Sequence, residues 1–383
     1  MTAAAPAPVS LPHHFADLDD PRSEHTRLHG LLDIIALTLC AVVSGAEGWT
    51  EVEAYGREKR DWLETFLDLP NGIPSHDTLG RVFALMGPAA FQECFLSWMQ
   101  AVVGASGGKL IAIDGKALRH SFDTAKGKSA IHLVSAWASA NHLLLGQKAV
   151  ADKSNEITAI PELLKLLDLQ GALVTIDAMG CQKRIAEEIV AGGADYVLAV
   201  KDNQPTLHDD VQRVFLEALE NDFGGLAHRY HHTKEEAHGR TEERHYHVIE
   251  VPEALARKHA GFAGLRTLGM VFSQRQVGDG PEGVETRFYI SSMGLKVRAF
   301  AEAVRGHWSI ENNLHWVLDV AFHEDASRLR KDHGPENLGL VRRIALSLLK
   351  RTKTKRKVGI ACKRKQAGWN NDFLVSVLLG SHG

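Results

Sequence analysis

Features of several protein classes are scarce or missing in this chain of 383 residues. It holds only four cysteines, which are scattered and form no C-x-x-C pair, so neither a disulfide framework nor a thiolate zinc site is expected. The longest apolar run, Leu31 to Val43, contains Asp33 and is well short of the roughly 20 residues that span a bilayer. The N-terminus shows no basic region followed by an apolar stretch, which argues against a cleaved signal. These absences favour a cytosolic protein without a membrane partner.

Positive charge is concentrated near the C-terminus, although the whole chain has a formal net charge of only −3 and an ordinary globular composition. Residues 342–365 contain eleven Lys or Arg and no Asp or Glu, which leaves −14 for the rest of the chain. Such a basic segment commonly binds phosphate groups. We expect Lys350 to Lys365 to form an exposed arm that follows DNA phosphates; the alternative is a solvated tail.

The pattern of apolar residues indicates how the chain is organised. Residues 24–105 show helical spacing and end at a glycine cluster, which predicts an N-terminal all-α domain after a flexible N-terminus, 1–23. Residues 109–204 read as short strands and helices in the order β-β-β-α-β-α-β, and a strongly helical region, 291–349, completes the same unit. The fold class predicted here is therefore α/β, with a mixed sheet covered by helices on both faces.

Two further segments interrupt or follow this core. Residues 205–290 are polar and rich in His and Gly, and they contain two predicted strands, so we expect a β-rich insertion subdomain at the edge of the sheet. Arg240 and Arg244 are separated by an even number of residues and should share one strand face. Residues 350–383 form the basic C-terminal segment.

Two aspartates follow apolar strands in similar surroundings. Asp114 ends the first strand in Ile-Asp-Gly-Lys, and Asp177 ends the fourth in Ile-Asp-Ala-Met-Gly. If these strands are neighbours, both carboxylates leave the sheet at the same edge. Two such groups can hold Mg²⁺, which prefers oxygen ligands. A single aspartate at a strand end is more often a turn or cap residue, and that alternative stays open.

A third acidic residue lies on a predicted helix much later in the chain. His307, Glu311 and His315 are spaced four residues apart and share one stripe, while Ile310 and Leu314 belong to the apolar side. Glu311 can therefore face a site while its helix stays packed. Two alternatives remain open: the stripe is a solvated polar face, or it is a zinc site, although its spacing is not H-E-x-x-H.

Several short segments between residues 15 and 350 form a specific combination. They are Asp33-Ile34-Ile35-Ala36-Leu37 with Gly45-Ala46, Ile113-Asp114-Gly115-Lys116, Lys153-Ser154-Asn155-Glu156-Ile157 with Ile160-Pro161, Thr175-Ile176-Asp177-Ala178-Met179-Gly180, Lys201 with Asn203-Gln204, His238-Gly239-Arg240, and His307-Trp308-Ser309-Ile310-Glu311-Asn312. In this combination the chain resembles insertion-sequence transposases of the DDE superfamily, in the H-repeat-associated or ISAs-type branch.

The resemblance implies an RNase H-like catalytic core in which Asp114, Asp177 and Glu311 are the catalytic acids. These carboxylates would hold two Mg²⁺ ions, for which Mn²⁺ can substitute, and support DNA cleavage and strand transfer. The implied partner is double-stranded DNA, both the terminal repeats of the element and the target, with a homo-oligomer assembling on it. The N-terminal helices are expected to read the repeats. Further residues are expected to contact DNA: Lys116, Lys201, Arg240, His307 and Asn312.

The chain departs from the wider group on the helix that bears the third acid. Many relatives carry a Tyr, Arg, Glu, Lys signature there, and the matching positions here are Val304, His307, Glu311 and Leu318. Nearby acids are weaker candidates for the third carboxylate: Asp319, Glu324 and Asp325.

The expected function is that of a DNA transposase in a bacterial cytosol, associated with the nucleoid. Two other functions stay open. The first is a related RNase H-like nuclease that cuts DNA without transposing it, and the second is a transposon-derived DNA-binding protein without catalytic activity. Mg²⁺-dependent nicking separates enzyme from binder, and strand-transfer products separate transposase from nuclease.

Overall fold

A computed structural model describes residues 11–103, 110–122, 129–140, 142–150, 156–237, 239–278 and 280–380. Within these ranges nine strands form one sheet, and helices cover both of its faces. The strands are β1 (Leu110–Ala117), β2 (His132–Ala138), β3 (Leu143–Val150), β4 (Leu173–Ile176), β5 (Asp195–Val200), β6 (His228–Ala237), β7 (Arg240–Glu250), β8 (Thr267–Val277) and β9 (Gly283–Ser291).

The helices occupy the two ends of the chain and the crossovers between strands. They are α1 (Leu11–His14), α2 (Leu31–Val43), α3 (Trp49–Glu58), α4 (Arg60–Leu63), α5 (His76–Leu85), α6 (Pro88–Val103), α7 (Glu156–Leu164), α8 (Lys183–Ala191), α9 (Pro205–Glu220), α10 (Glu253–Lys258), α11 (Val297–Ile310), α12 (Trp316–Phe322), α13 (Gly334–Arg351), α14 (Ile360–Trp369) and α15 (Asn371–Leu378).

The sheet is mixed, as the sequence predicted. Its order is β3-β2-β1-β4-β5-β9-β8-β7-β6. The first three strands form an antiparallel meander, whereas β1, β4 and β5 run parallel and are connected by α7 and α8. The predicted order β-β-β-α-β-α-β is therefore confirmed. The parallel strands lie at the centre of the sheet, where helices bury both faces.

The segment 205–290 extends this sheet instead of forming a sheet of its own. It starts with a 16-residue helix, α9, and its four strands pair antiparallel, with β9 hydrogen-bonded to β5 between the pairs Val197↔Ser291 and Val200↔Phe288. The β-rich insertion expected at the edge of the sheet is continuous with the core sheet, because its strand β9 pairs with the edge of β5. The exact domain boundaries stay a prediction.

Within β1 and within β4, successive side chains point to opposite faces of the sheet. Ile113 and Ile176 belong to the core cluster that also contains residues of α7, α8 and α9. Leu110 and Leu173 pack instead against the cluster that contains Phe300 of α11. Even-numbered residues of β1 and odd-numbered residues of β4 therefore face α11. This alternation decides where the two aspartates point.

The N-terminal helices share their core with the C-terminal helices. Buried residues of α2, α5 and α6 belong to one cluster with residues of α13, α14 and α15. Phe15 is also buried in this cluster and contacts the rings of Phe91 and Phe95. From residue 11 onward, the expected flexible N-terminus is therefore packed. The N-terminal all-α unit is built against the rest of the molecule.

The prediction that Lys350 to Lys365 form an exposed arm is wrong for several of the basic residues in this segment. Lys363 and Arg364 lie on α14 and are buried. Lys350 is partly buried and donates to Asn313 Oδ1 at 2.8 Å, and burial lowers its pKa to about 8. Lys365 of α14 is exposed, and four more exposed basic residues form a short loop before α14, which we call the basic loop: Lys353, Lys355, Arg356 and Lys357.

A buried ion pair ties α13 to the chain that follows α12. Arg343 Nη1 lies 2.8 Å from Glu324 Oε1, and neither side chain is exposed to solvent. Arg343 also donates to Gly339 O at 3.0 Å and to Ser135 Oγ at 3.3 Å. Glu324, a weaker candidate for the third acid, is thus committed to this pair.

Replacing one partner of this pair should destabilise the fold strongly. Arg343→Met leaves the Glu324 carboxylate buried without its partner, which should lower the free energy of unfolding by about 3–5 kcal/mol. Equilibrium urea denaturation measures the loss. The double variant Arg343→Met, Glu324→Leu removes both charges and should recover most of it. A single variant as stable as the wild type would contradict this role.

Candidate active site

The parallel pairing of β1 and β4 sets the positions of the two aspartates. The last register pair of these strands is Ile113↔Ile176, so Asp114 and Asp177 follow it side by side. By alternation both lie on the face that α11 covers. Asp114 Oδ1 accepts the backbone N–H of Gly115 at 2.9 Å. Asp177 directly follows its strand and caps a 3₁₀ turn, Ala178–Gly180, because its carboxylate accepts the N–H groups of Met179 and Gly180.

Gly306 allows α11 to lie close to β1. A Cβ atom at this position would lie 2.1 Å from Leu110 Cδ2, so a larger residue would require the Leu110 side chain or the helix to shift. The Gly306 carbonyl also accepts the hydroxyl of Ser139 at 3.1 Å. The helix continues into a π-helical turn, Glu311–His315, before α12. Such turns often occur at functional sites, and this one carries the third predicted acid.

His315 links two of the predicted catalytic carboxylates. Its Nδ1 lies 3.4 Å from Asp114 Oδ2 and 3.2 Å from Glu311 Oε2, and the imidazole is almost fully buried. One ligand atom from each of these three residues lies within 4.8 Å of the other two. Sequence reasoning placed His315 on the stripe with Glu311 but did not include it in the site. The spacing of four residues from Glu311 was the available signal.

Asp177 joins the same site across a cavity of about 430 Å³. Asp114, Asp177, His307 and Glu311 all line this cavity. The structure thus brings together the three acids that the sequence singled out, although they are separated by 63 and 134 residues in the chain. Their closeness follows from the strand register and from the position of α11.

The pKa values of Asp114 and Glu311 are shifted in opposite directions. Burial raises the pKa of Asp114, and the negative charge of Asp177 adds to this, while His315 and His307 oppose it. The pKa of Glu311 is lowered, chiefly because its carboxylate is hydrogen-bonded to His315. Burial lowers the pKa of His307, and the two aspartates counteract part of that effect. The site is therefore electrostatically strained around Asp114, as is common where charged groups converge for function.

The mouth of the cavity carries cationic and aromatic side chains. Lys201 follows the end of β5 and is exposed, and Arg287 of β9 lies 4.4 Å from the ring centroid of Trp308. Trp308 is 42% exposed although it is large and apolar. Arg287 also donates to both carboxylate oxygens of Glu285, at 2.7 and 2.8 Å. Lys201 is therefore the cation that could bind a phosphate here, and Trp308 the ring on which a base could stack.

Lys116 is not available as a DNA contact. Its ammonium group is buried and lies 2.7 Å from both Asp319 Oδ1 and Asp325 Oδ1. Arg119 Nε also lies 3.1 Å from Asp325. The expectation for Lys116 is corrected for this reason. Asp319 and Asp325 are the other weaker candidates for the third acid, and both carboxylates are paired with Lys116.

The remaining predicted DNA contacts lie in different places. Asn312 is exposed beside Glu311 and donates to Trp308 O at 3.2 Å. Arg240 is exposed at the start of β7, and regular pairing along that strand places Arg244 on the same face. His307 is partly buried inside the cavity. Their contacts with DNA stay predictions. Residues 153–155 and 238 of the specific segments lie outside the described residues.

The chain belongs to the transposase DDE domain family. Residues 105–348 match the family described as "Transposase DDE domain", and residues 12–99 match the one described as "DDE_Tnp_1-associated". The first match spans β1 to α13 and therefore contains the three acids. The predicted fold class, an RNase H-like mixed-sheet core, is confirmed.

Curated relatives of this family are similar over nearly the full length. The chain is 43% identical to "Putative transposase YncI" of Escherichia coli O157:H7, over 96% of this chain and 94% of that protein. It is 42% identical to "H repeat-associated putative transposase YhhI" of Escherichia coli (strain K12), over 97% of this chain and 98% of that protein. The predicted H-repeat-associated branch is confirmed.

Among solved structures, the chain is similar to a piggyBac transposase synaptic complex with hairpin DNA, studied by cryo-EM. The TM-score is 0.44 at 11% identity, and the likeness covers 96% of this chain and 76% of that chain.

None of the helices in the described ranges is both long and apolar enough to cross a membrane.

Neutralising Asp114 should stabilise the metal-free protein at high pH. Because the pKa of Asp114 is raised in the folded state, that state keeps the proton to higher pH than the unfolded chain, and ionisation costs stability. Asp114→Asn should therefore raise the urea midpoint at about pH 8, and the gain should shrink towards pH 4. Glu302→Gln, an exposed acid on α11, is the matched control. If the urea midpoint of Asp114→Asn at pH 8 is unchanged or lower, ionised Asp114 does not destabilise the folded protein.

Proposed function

We propose that this protein is the DNA transposase of an insertion sequence, and that Asp114, Asp177 and Glu311 are its catalytic acids. The observation that carries the proposal is the convergence of these three carboxylates on one cavity within a transposase DDE domain. The proposed substrates are the terminal repeats of the element and the target DNA. A homo-oligomer assembled on DNA and an action in the bacterial cytosol, at the nucleoid, are part of the proposal.

The donor set of the site fits a divalent metal such as Mg²⁺. Carboxylate oxygens dominate it, and the ligand atoms of Asp114, Glu311 and His315 already lie within 4.8 Å of one another. Asp177 on the same cavity supplies a further carboxylate. Oxygen ligands favour Mg²⁺ or Mn²⁺ over softer metals. A metal bound there supplies Lewis acidity toward a phosphoryl oxygen.

The side chains around the acids have positioning roles in this proposal. His315 bonds Glu311 and approaches Asp114, so it holds both carboxylates in the orientation seen here. Lys201 places positive charge at the mouth, where the phosphate backbone would lie, whereas the charge of Arg287 is balanced by Glu285. In the reaction a water oxygen bonds to phosphorus at the element end, the bond from phosphorus to the 3′ oxygen breaks, and a proton from the water ends on that oxygen. The freed 3′-hydroxyl then loses its proton and attacks a target phosphorus, and the target 3′ oxygen leaves and takes up a proton.

A nuclease without strand transfer is the second candidate, because the same carboxylate site would cut DNA in either case. The two candidates differ in whether the 3′-hydroxyl product is used again. Incubating the full chain with labelled element ends, target plasmid and Mg²⁺ distinguishes them. Joined products support the transposase, whereas cleavage without joining supports the nuclease. No cleavage, with binding retained, would support a DNA-binding protein.

Each of the three acids should be essential for cleavage but dispensable for DNA binding. Asp114→Ala, Asp177→Ala or Glu311→Ala should lower the cleavage rate by at least about 10³-fold, because bound metal contributes several kcal/mol to the barrier. Gel-shift affinity for terminal-repeat DNA should change little. Glu302→Gln, on the same helix but outside the cavity, should cleave normally. Cleavage that survives any single substitution would remove that acid from the proposed site.

The basic loop should bind DNA phosphates without reading sequence. Replacing Lys353, Lys355, Arg356 and Lys357 with Gln should weaken binding about equally on specific and random DNA. It should also reduce the slope of log affinity against log salt by about 3.6, at 0.9 per phosphate. Lys148→Gln with Lys165→Gln is the control, because both lysines are paired with glutamates. An unchanged slope in the loop variant would show that the loop is only solvated.

A further inference from the structure

A second group of metal-ligating side chains lies on the β6–β7 hairpin, far from the catalytic acids in the sheet order. His232 of β6 is the register partner of His245 of β7. Glu243 precedes His245 by two residues and so lies on the same face. One ligand atom from each of these three residues lies within 4.8 Å of the other two.

The distances among these atoms suit a small cation with imidazole ligands. Glu243 Oε1 lies 2.7 Å from His232 Nε2 and 3.9 Å from His245 Nε2. Ligands of a tetrahedral zinc ion, each about 2.1 Å from the metal, are about 3.4 Å apart. The observed separations lie on either side of this value, so rotations of exposed side chains suffice to reach it.

The arrangement differs from an ordinary ion pair in having two imidazoles directed at one carboxylate oxygen. A His–Glu pair needs only one of them, and two protonated imidazoles would repel each other. The rings of His232 and His245 are also stacked, with centroids 4.7 Å apart. A cation shared by both nitrogens and the carboxylate removes that repulsion, because zinc ligands are neutral imidazoles.

Histidines that bind zinc through one ring nitrogen commonly form a hydrogen bond through the other, and Tyr230 provides such a partner for His245. Its hydroxyl lies 2.7 Å from His245 Nδ1, and Tyr230 is two residues before His232 on the same strand face. When His245 Nδ1–H donates to this oxygen, the lone pair of Nε2 is free and points toward Glu243. Because the hydroxyl can accept this hydrogen bond, the contact is compatible with the tautomer that can bind metal.

We propose that His232, Glu243 and His245 form a zinc site that fastens the edge strand β6 to β7. The three side chains are 37%, 33% and 27% exposed, so an ion can enter from solvent and water can complete its coordination. Two imidazoles and one carboxylate favour Zn²⁺ over Mg²⁺, which binds oxygen ligands. The site stiffens the hairpin that ends near Arg240. It is independent of the proposed catalytic function.

Zinc binding by the full chain tests this site directly. The protein, freed of metal with a chelator, is titrated with Zn²⁺ against a chromophoric chelator in excess Mg²⁺, in a Glu311→Gln background that weakens the catalytic cavity as a competing site. Binding at the hairpin should be at least about tenfold weaker in His232→Ala and in His245→Ala. Glu243→Gln should also weaken it, because it keeps a hydrogen-bonding side chain but loses the negative charge.

His231→Ala is the matched control, because His231 lies on the same strand but on the opposite face. Zn²⁺ should raise the thermal midpoint of the parent and of this control, and should leave that of His232→Ala unchanged. His232→Gln replaces His232→Ala if the latter loses its far-UV circular dichroism. Equal zinc affinity in the parent and in the His232 and His245 variants would overturn the proposal. The proposal would also be overturned if His231→Ala lost as much zinc affinity as His232→Ala, or if Mg²⁺ displaced Zn²⁺ from the protein.

Discussion

The parallel register between β1 and β4 is the constraint on which the candidate active site depends. Because Ile113 pairs with Ile176, the next residue of each strand is an aspartate on the face that α11 covers. A shift of one residue in either strand would turn its aspartate toward α7 and α8. Gly306 completes the arrangement, since it lets α11 approach β1 one turn before Glu311. Residues distant in sequence thus form one group of carboxylates.

Charge compensation explains how the fold tolerates so many acids near its centre. Lys116 neutralises Asp319 and Asp325, and Arg343 neutralises Glu324, so the acids beside the site are paired. In the part of the chain that the structure describes, the ion-pair partner of Asp114 and Glu311 is His315. Burial therefore raises the pKa of Asp114, and a divalent cation would relieve the strain that the protein leaves in place.

Local patterns in the sequence predicted seven of the nine strands, the aspartates on β1 and directly after β4, and the stripe that bears Glu311; β6 and β8 were not predicted, and Asp114 lies inside β1, which continues to Ala117. These features follow from side-chain periodicity, which is a local property. The partners of Lys116 and the contact of His315 with Asp114 depend on residues about 200 positions away, and no local pattern reveals them. The basic C-terminal segment was misjudged for a related reason. Lys363 and Arg364 donate to carbonyls at the ends of α13 and α2, where cations stabilise helix termini.

Anomalous diffraction from crystals of the full chain soaked with Mn²⁺ tests the central claim most directly, because it locates bound metal without relying on activity. We expect anomalous density in the cavity, in contact with the carboxylates of Asp114, Asp177 and Glu311, and its loss in crystals of Glu311→Gln. If saturating Mn²⁺ gives no density between these three carboxylates, they do not form a shared metal site.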